Sequence, residues 1–246
     1  MTSLERGDPF DVTDENLWRR AEHLGRYLFA CDLLMQQHPG TIADIACGTG
    51  YGTRELCQAA RTVIGVDSRR DLLAAASRRC EGLNAVFLQR NIEMEEIGAG
   101  SVDAIVSFET LEHLVDPHRA VACFAEALLP GGLLVCSVPN VLYESRDSAG
   151  LPKNRGHRGW FSFGSLCRLM QSHGFSVLYR LGQSWSRTLH RREMQLYHAR
   201  RIPRRISEIE EMQREEMVRW LSYVAAYPTV EDVDGSYSII VVARRC

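Results

Sequence analysis

Lysine is nearly absent from these 246 residues; Lys153 is the only one. Arginine supplies the remaining positive charge, 29 Lys plus Arg stand against 31 Asp plus Glu, and the formal net charge is −2. A chain this close to neutrality has no global field to draw it onto nucleic acid or an anionic membrane. Eight cysteines are present without a single C-x-x-C pair. That spacing argues against a structural zinc site or a disulfide framework, and for buried, reduced thiols in a cytoplasmic protein. No apolar run reaches the ~20 residues that a membrane-spanning helix needs. The opening MTSLERGDPFDVTDE is polar and acidic, without the basic and apolar regions of a signal peptide.

What is there is a regular alternation. TIADIA (41–46), TVIGVD (62–67), AVFLQR (85–90), VDAIVSF (102–108) and GLLVCSVP (132–139) read as strands. TRELCQAA (53–60), RDLLAAASRRC (70–80) and DPHRAVACFAEALL (116–129) read as helices, the last stopped by Pro130, Gly131 and Gly132. Apolar runs bounded by turn residues and separated by amphipathic helices specify βαβ units on a parallel sheet, an α/β fold. A helical pattern over 14–38 comes first. SFGSLCRLMQSHG (162–174), capped by Ser162 and stopped by Gly174, precedes the strands FSVLYRL (175–181) and GSYSIIVVARR (235–245).

The chain therefore divides into an N-terminal helical cap, 1–40, and an α/β domain, 41–246, with a helical insertion at about 183–235 that is too long for a plain turn. The insertion carries Arg191, Arg192, Arg200, Arg201, Arg204 and Arg205, followed by glutamates over 208–216. It reads as a solvated helical excursion with internally balanced charge. The alternatives are a lid over a substrate pocket or a subunit contact, so a homodimer stays open.

Residues 41–53, TIADIACGTGYGT, set Gly48, Gly50 and Gly52 between a strand and a helix. A glycine turn at the carboxyl edge of a parallel sheet is a nucleotide site by geometry. The spacing is G-x-G-x-G rather than G-x-G-x-x-G, and no Lys-Ser/Thr pair follows, so a Walker-type loop is excluded. Asp44, just before the turn, would repel a pyrophosphate and suits ammonium and sulfonium groups. Asp67, ending VIGVD, can accept both hydroxyls of a ribose. Asn91 can bond an adenine edge and Ile92 can pack on its face. Together these describe a pocket for an adenosyl group with a cationic amino-acid tail.

IADIACGTGYGT, VIGVD, VSFETLEHLVDP and LLPGGLLVCSVPN, in this order and spacing, resemble the motifs of class I S-adenosylmethionine-dependent methyltransferases. The resemblance covers 41–181 and extends to the closing strand. HLGRYLFA (23–30) and HRGWFS (157–162) are similar to the small-molecule and sugar-modifying branch. The resemblance implies a Rossmann-like, seven-stranded, mostly parallel sheet with helices on both faces, its last strand antiparallel and inserted beside the sixth. It implies S-adenosyl-L-methionine as cofactor, with Asp44, Ala46, Gly48 and Gly50 along the methionine portion. Asp67 would hold the ribose and Asn91 with Ile92 the adenine; Phe108 would lie against the cofactor. Arg26 or Tyr27 would reach the methionine carboxylate or merely cap the sheet. Ala46 stands where the family often has glycine.

Catalysis of methyl transfer then asks for alignment in a dry pocket and, for a hydroxyl acceptor, a base. If a helix begins near Glu109, then Glu109, Glu112 and His113 share one face at i, i+3 and i+4. Two carboxylates and an imidazole so placed could hold Mg²⁺ or Mn²⁺. Similar E-x-x-E-H arrangements with a later histidine, here His157, occur in metal-dependent small-RNA 2′-O-methyltransferases and in some ubiquinone-pathway O-methyltransferases. His113 acting alone as base is the other reading, and His157 as a plain loop histidine a third. The expected reaction is O-methylation of a small-molecule, sugar or natural-product acceptor, with no nucleic-acid or membrane partner. RNA 2′-O-methylation and a non-catalytic binder of the same cofactor are the alternatives.

Overall fold

A computed structural model describes residues 8–10, 16–95, 97–98, 100–150, 153–183, 191, 194–195, 198–199, 203, 205–230 and 233–246. The first helix, α1 (Leu17–Met35), starts where the Asn16 side chain accepts the Arg19 N–H at 3.1 Å; an N-terminal side-chain cap of this kind contributes about 1 kcal/mol. β1 (Thr41–Ile45), α2 (Tyr51–Leu56), β2 (Thr62–Asp67), α3 (Arg70–Arg79) and β3 (Ala85–Gln89) follow, then β4 (Val102–Phe108) and α4 (Pro117–Ala127). β5 (Leu128–Pro139), α5 (Phe163–Ser172), β6 (Phe175–Gln183), α6 (Arg214–Val224) and β7 (Ser238–Arg245) complete the chain.

The seven strands form one sheet in the order β3-β2-β1-β4-β5-β7-β6. Six run parallel, and β7 pairs antiparallel with both β5 and β6. The strand order reverses between β1 and β4, which pair through Ile42↔Ala104 and Asp44↔Val106. The carboxyl ends of the strands at such a reversal open a crevice.

Apolar side chains cover the two faces of the sheet in separate clusters. One holds Phe124 of α4, Leu166 of α5 and Ile105 of β4, all fully buried. The other holds Tyr27 and Leu34 of α1 with Ile42, Val106 and Val242 of the strands. The N-terminal helix is thus packed onto the sheet itself. Its outer side meets α6 in a third cluster, where Leu17 and Leu24 touch Val218 and Leu221.

Several expected boundaries move. α2 begins at Tyr51, with Gly50 at its N-cap in the left-handed region (φ 75°). β5 begins at Leu128, because Leu128 pairs with Val102 across an irregular register, so Pro130, Gly131 and Gly132 lie inside the strand's first, bulged part. No helix starts at Glu109. That residue has φ 49°, and only a 3-10 turn, Leu111–His113, precedes α4. Of the insertion's arginine block, Arg192, Arg200, Arg201 and Arg204 lie outside the described residues, and Arg205 forms a β-bridge with Asn16. α6 is pinned to α2 by Arg219, whose guanidinium donates to both oxygens of buried Glu55 at 2.9 and 2.7 Å. No helix among the described residues is long and apolar enough to cross a membrane.

The junction of α1 with α2 depends on a missing side chain. A Cβ on Gly52 would stand 2.1 Å from the Tyr27 ring. Helix propensity alone favours alanine over glycine by about 1 kcal/mol, yet overpacking costs about 1–3 kcal/mol. Gly52→Ala is expected to destabilise the protein, reversing the sign that propensity predicts. Denaturant unfolding that finds the variant as stable as the parent would show that Tyr27 yields without cost.

Candidate active site

The crevice at the β1/β4 reversal is a cleft of about 870 Å³, within the range usual for small-molecule and cofactor pockets. It has a turn-built half and a loop-built half. The turn-built half is lined by Ala46 and Cys47 after β1, Asp67 and Ser68 after β2, and Asn91 and Ile92 after β3. Ala46 takes φ 58°. An L side chain there costs about 1–3 kcal/mol, which explains why glycine suits this position.

Asp67 knits the turns together. One oxygen accepts the Gly48 N–H at 3.0 Å and the other the Arg69 N–H at 2.8 Å. Its carboxylate stands on the cleft wall with lone pairs remaining for hydroxyl donors. The Asn91 side-chain oxygen accepts the Glu93 N–H at 3.1 Å, which shapes the turn that presents Ile92 to the cleft. Phe108 also lines the cleft and packs edge-on to Tyr27, with centroids 4.9 Å apart.

Asp44 departs from its expected place. It is fully buried and is not among the lining residues. Tyr27 donates to one oxygen at 3.0 Å and Thr53 to the other at 2.6 Å. The reason is crowding: α1 lies over the end of β1, so Tyr27 fills the space between Asp44 and the cleft. Gly48 and Gly50 likewise shape the turn from behind the wall. Burial raises the Asp44 carboxyl to about 6, partly offset by the bonds from Thr53 and Tyr27. Burial first, then Asp44's charge, pushes the Tyr27 phenol up as well.

α1 contributes more than the sequence reading foresaw. Arg19, His23 and Arg26 all line the cleft. Their spacing of four and three places them on one face of the helix, a polar stripe that was there to be read. Arg26 is buried and donates to Gln183 at 2.9 Å and Ser238 at 3.2 Å, with Glu109 at 3.9 Å. Burial, then the charges of Arg26 and Arg19, holds the His23 imidazole well below its ordinary value.

In the loop-built half, Glu109, Glu112, His113, Asn154, His157 and Tyr237 line the cleft. The expected set of Glu109, Glu112 and His113 on one helix face does not form, because Glu109 leaves β4 with positive φ. Its carboxylate instead accepts from Ser137 at 2.8 Å. The set that does converge is Glu112, His113 and His157, whose donor atoms lie within 4.8 Å of one another. Glu112 is 1% exposed and neither carboxylate oxygen has a hydrogen-bond partner. Burial, then the charge of Glu109, pushes its carboxyl well above the usual range. The His113 Nε2 lies 3.9 Å from Glu112, while its Nδ1 donates to the Gly156 carbonyl at 3.0 Å. The β5–α5 loop carrying Gly156 and His157 has no periodicity, so the sequence could nominate His157 but not Glu144, which bonds it.

The comparisons agree with this geometry. The family profile described as a methyltransferase domain matches residues 16–180. A probable S-adenosylmethionine-dependent methyltransferase of Mycolicibacterium smegmatis is 29% identical over 174 residues, 70% of this chain and 64% of that protein. A ubiquinone biosynthesis O-methyltransferase of Nitrosococcus oceani is 36% identical over 102 residues, 40% of this chain and 43% of that protein. The crystal structure of an S-adenosylmethionine-dependent methyltransferase from Mesorhizobium loti superposes with a TM-score of 0.61 at 18% identity, covering 92% of this chain and 98% of that one. The chain belongs to the class I S-adenosylmethionine-dependent methyltransferase family. It spans less than two thirds of the length of the first curated relatives it matches.

The raised Asp44 carboxyl has a consequence for stability. The folded state binds its proton more tightly than the unfolded chain, so the ionised form opposes folding. This contribution favours the fold below about pH 4 and is lost as pH rises to about 6. At one pKa unit per 1.36 kcal/mol, the swing is about 3 kcal/mol. The stability of Asp44→Asn relative to the parent is therefore expected to improve between pH 4 and 7 by up to that amount. A pH-independent difference in denaturant midpoints would show that Asp44 does not titrate there.

Proposed function

We propose that the protein methylates a hydroxyl group of a small-molecule, sugar or natural-product acceptor, with S-adenosyl-L-methionine as donor. The observation that carries the acceptor chemistry is Glu112: a buried carboxylate without a hydrogen-bond partner, beside two imidazoles, in a cleft that also has the family's cofactor turns. An unpaired buried carboxylate is costly, and such a group in a cleft marks a functional site. The likeness to a ubiquinone biosynthesis O-methyltransferase supports a hydroxyl acceptor. The free state of the eight cysteines suits a reducing, cytoplasmic setting.

The turn-built half fits the donor. Asp67 would accept from its ribose hydroxyls, Ile92 with Asn91 would flank its adenine, and Arg26, Arg19 and His23 supply donors for its carboxylate. Tyr27, Tyr51 and Phe108 pack edge to face, Tyr27 lying 5.2 Å from Tyr51, and make a dry aromatic wall. Bound donor supplies a methyl group already activated by the sulfonium. The protein's part is to orient the acceptor and exclude water. Because its Nδ1 proton is spent on Gly156, His113 presents a lone pair at Nε2 that can take the acceptor's hydroxyl proton.

The donor set of Glu112, His113 and His157 also fits a divalent cation: one carboxylate oxygen and two imidazoles at ligand spacing, with Glu112 lacking any competing partner. A Mg²⁺ or Mn²⁺ ion held there would lower the pKa of an acceptor hydroxyl.

Calorimetry and turnover test the proposal. S-adenosylmethionine is expected to bind the wild type, and Asp67→Ala to weaken it about 10–100-fold through lost hydrogen bonds to a charged acceptor. With a panel of hydroxylated acceptors, His113→Ala is expected to lower kcat about 10²–10⁴-fold, and Glu112→Gln to abolish any rescue by Mn²⁺ after chelation. No cofactor binding, or no S-adenosylhomocysteine formed with any hydroxyl acceptor, would sink the reading.

A further inference from the structure

Glu144 lies on the loop between β5 and α5, outside the cluster of Glu112, His113 and His157. We infer that it is the positioning residue that fixes His157 in the tautomer the site requires, an inference that builds on the proposed role of the cluster. Its carboxylate is hydrogen-bonded to the His157 Nδ1, and the two side chains are only 6% and 8% exposed. A carboxylate accepts, so the proton of this bond sits on Nδ1 and the lone pair is left on Nε2. The opposite side of the ring agrees. The Asn154 amide nitrogen lies 2.6 Å from Nε2, and the Asn154 side-chain oxygen accepts the Gly156 N–H at 3.1 Å, which fixes the amide's orientation. Asn154 therefore donates to Nε2 and holds the place that an incoming proton or cation takes.

The same loop treats His113 alike. Its Nδ1 donates to the carbonyl of Gly156, two residues from Asn154. The two rings meet edge to face, 4.9 Å between centroids. One segment thus delivers two imidazoles beside Glu112, each with its Nδ1 proton engaged by a group outside the cluster. It is itself braced. Glu144 N–H bonds to the Asn140 carbonyl at 3.1 Å, Asp147 pairs with Arg155 at 2.7 Å, and Arg146 lies 4.0 Å over the Trp160 ring. Among the described residues, Glu144 is the carboxylate that bonds a ring of the cluster without belonging to it. Partners that orient a ligating or basic histidine in this way typically govern affinity or activity by about 10–100-fold.

Nitrogen NMR of ¹⁵N-histidine-labelled full-length protein tests this without any acceptor. The spectrum is recorded at a pH where the rings are neutral, and His157 is identified by its loss in His157→Gln. Wild-type His157 is expected to carry its proton on Nδ1. In an Asn154→Ala background, where no amide donates to Nε2, Glu144→Ala is expected to move that proton to Nε2, while Glu144→Gln, which keeps an accepting oxygen, retains the wild-type tautomer. Unchanged signals from the distant His118–His173 pair establish that the variants are folded. Mn²⁺ is then expected to broaden His113 and His157 in the wild type, at concentrations about 10–100-fold lower than in Glu144→Ala. A His157 that keeps its Nδ1 proton in the folded Glu144→Ala, Asn154→Ala double variant overturns the assignment. Absence of Mn²⁺ broadening in the wild type counts against the cation alone, and the tautomer result then still decides the role of Glu144.

Discussion

Asp44 sits where a carboxylate is expensive, fully enclosed near the end of β1, and the architecture around the cleft is arranged to keep it there. It joins three elements at once: β1 by its backbone, α1 through Tyr27 and α2 through Thr53. Each partner is conditional on something else. Tyr27 reaches the carboxylate only because Gly52 has no side chain, and Thr53 only because α2 turns in directly after the glycines. Once Tyr27 is placed, its ring packs against Tyr51 and Phe108. The aromatic wall of the cleft is thus a by-product of satisfying one buried charge. This is the sense in which a polar group inside a fold confers order as well as cost.

The two halves of the cleft are made differently. Around the cofactor turns, backbone amides and strand ends do most of the work, with Asp67 tying the β1–α2 turn to β2. Around Glu112, side chains from a 3-10 turn and a long loop converge, and the carboxylate at their centre lacks hydrogen-bond partners. The first half resembles a rigid socket and the second an unfinished coordination shell. Such a division suits a family in which the donor is constant and the acceptor varies: the loop can change without disturbing the turns.

Most of the fold was legible because hydrophobic periodicity reports burial directly. TVIGVD and VDAIVSF are strands with the expected limits, since a strand covered on both faces is apolar along its whole length. Asp67, Asn91 and Ile92 were legible because strand ends in this topology point at the crevice. Asp44 was misplaced because its surroundings depend on where α1 crosses β1, and no local pattern carries a crossing. The face of Glu109, Glu112 and His113 failed for a different reason. It assumed helical geometry at a residue that takes positive φ, a choice set by the bonds of Glu109 to Ser137 on the neighbouring strand. Glu144 was invisible since it meets His157 across thirteen residues of loop with no repeat to bring them into phase. Arg19 and His23 were readable in principle, as a polar stripe with Arg26 at helical spacing.

The position of β7 carries a consequence for how the chain assembles. β6 has no hydrogen-bonded contact with β5; every ladder bond that ties it to the sheet runs through β7, which lies more than fifty residues later in sequence. Until that strand arrives, β6 has no ladder partner beyond the Gly182–Thr229 bridge and is held by α5 and by the bonds of Gln183, while β5 presents an open edge of buried-type residues, Leu133 to Val138. Pairings of such long sequence separation close late, since loop entropy must be met before they return any stability. The wall of the cleft that Ser238 and Tyr237 supply, and the anchor that Ser238 gives Arg26, can therefore form only in the last step of sheet closure. Competence to bind and completion of the sheet become the same event.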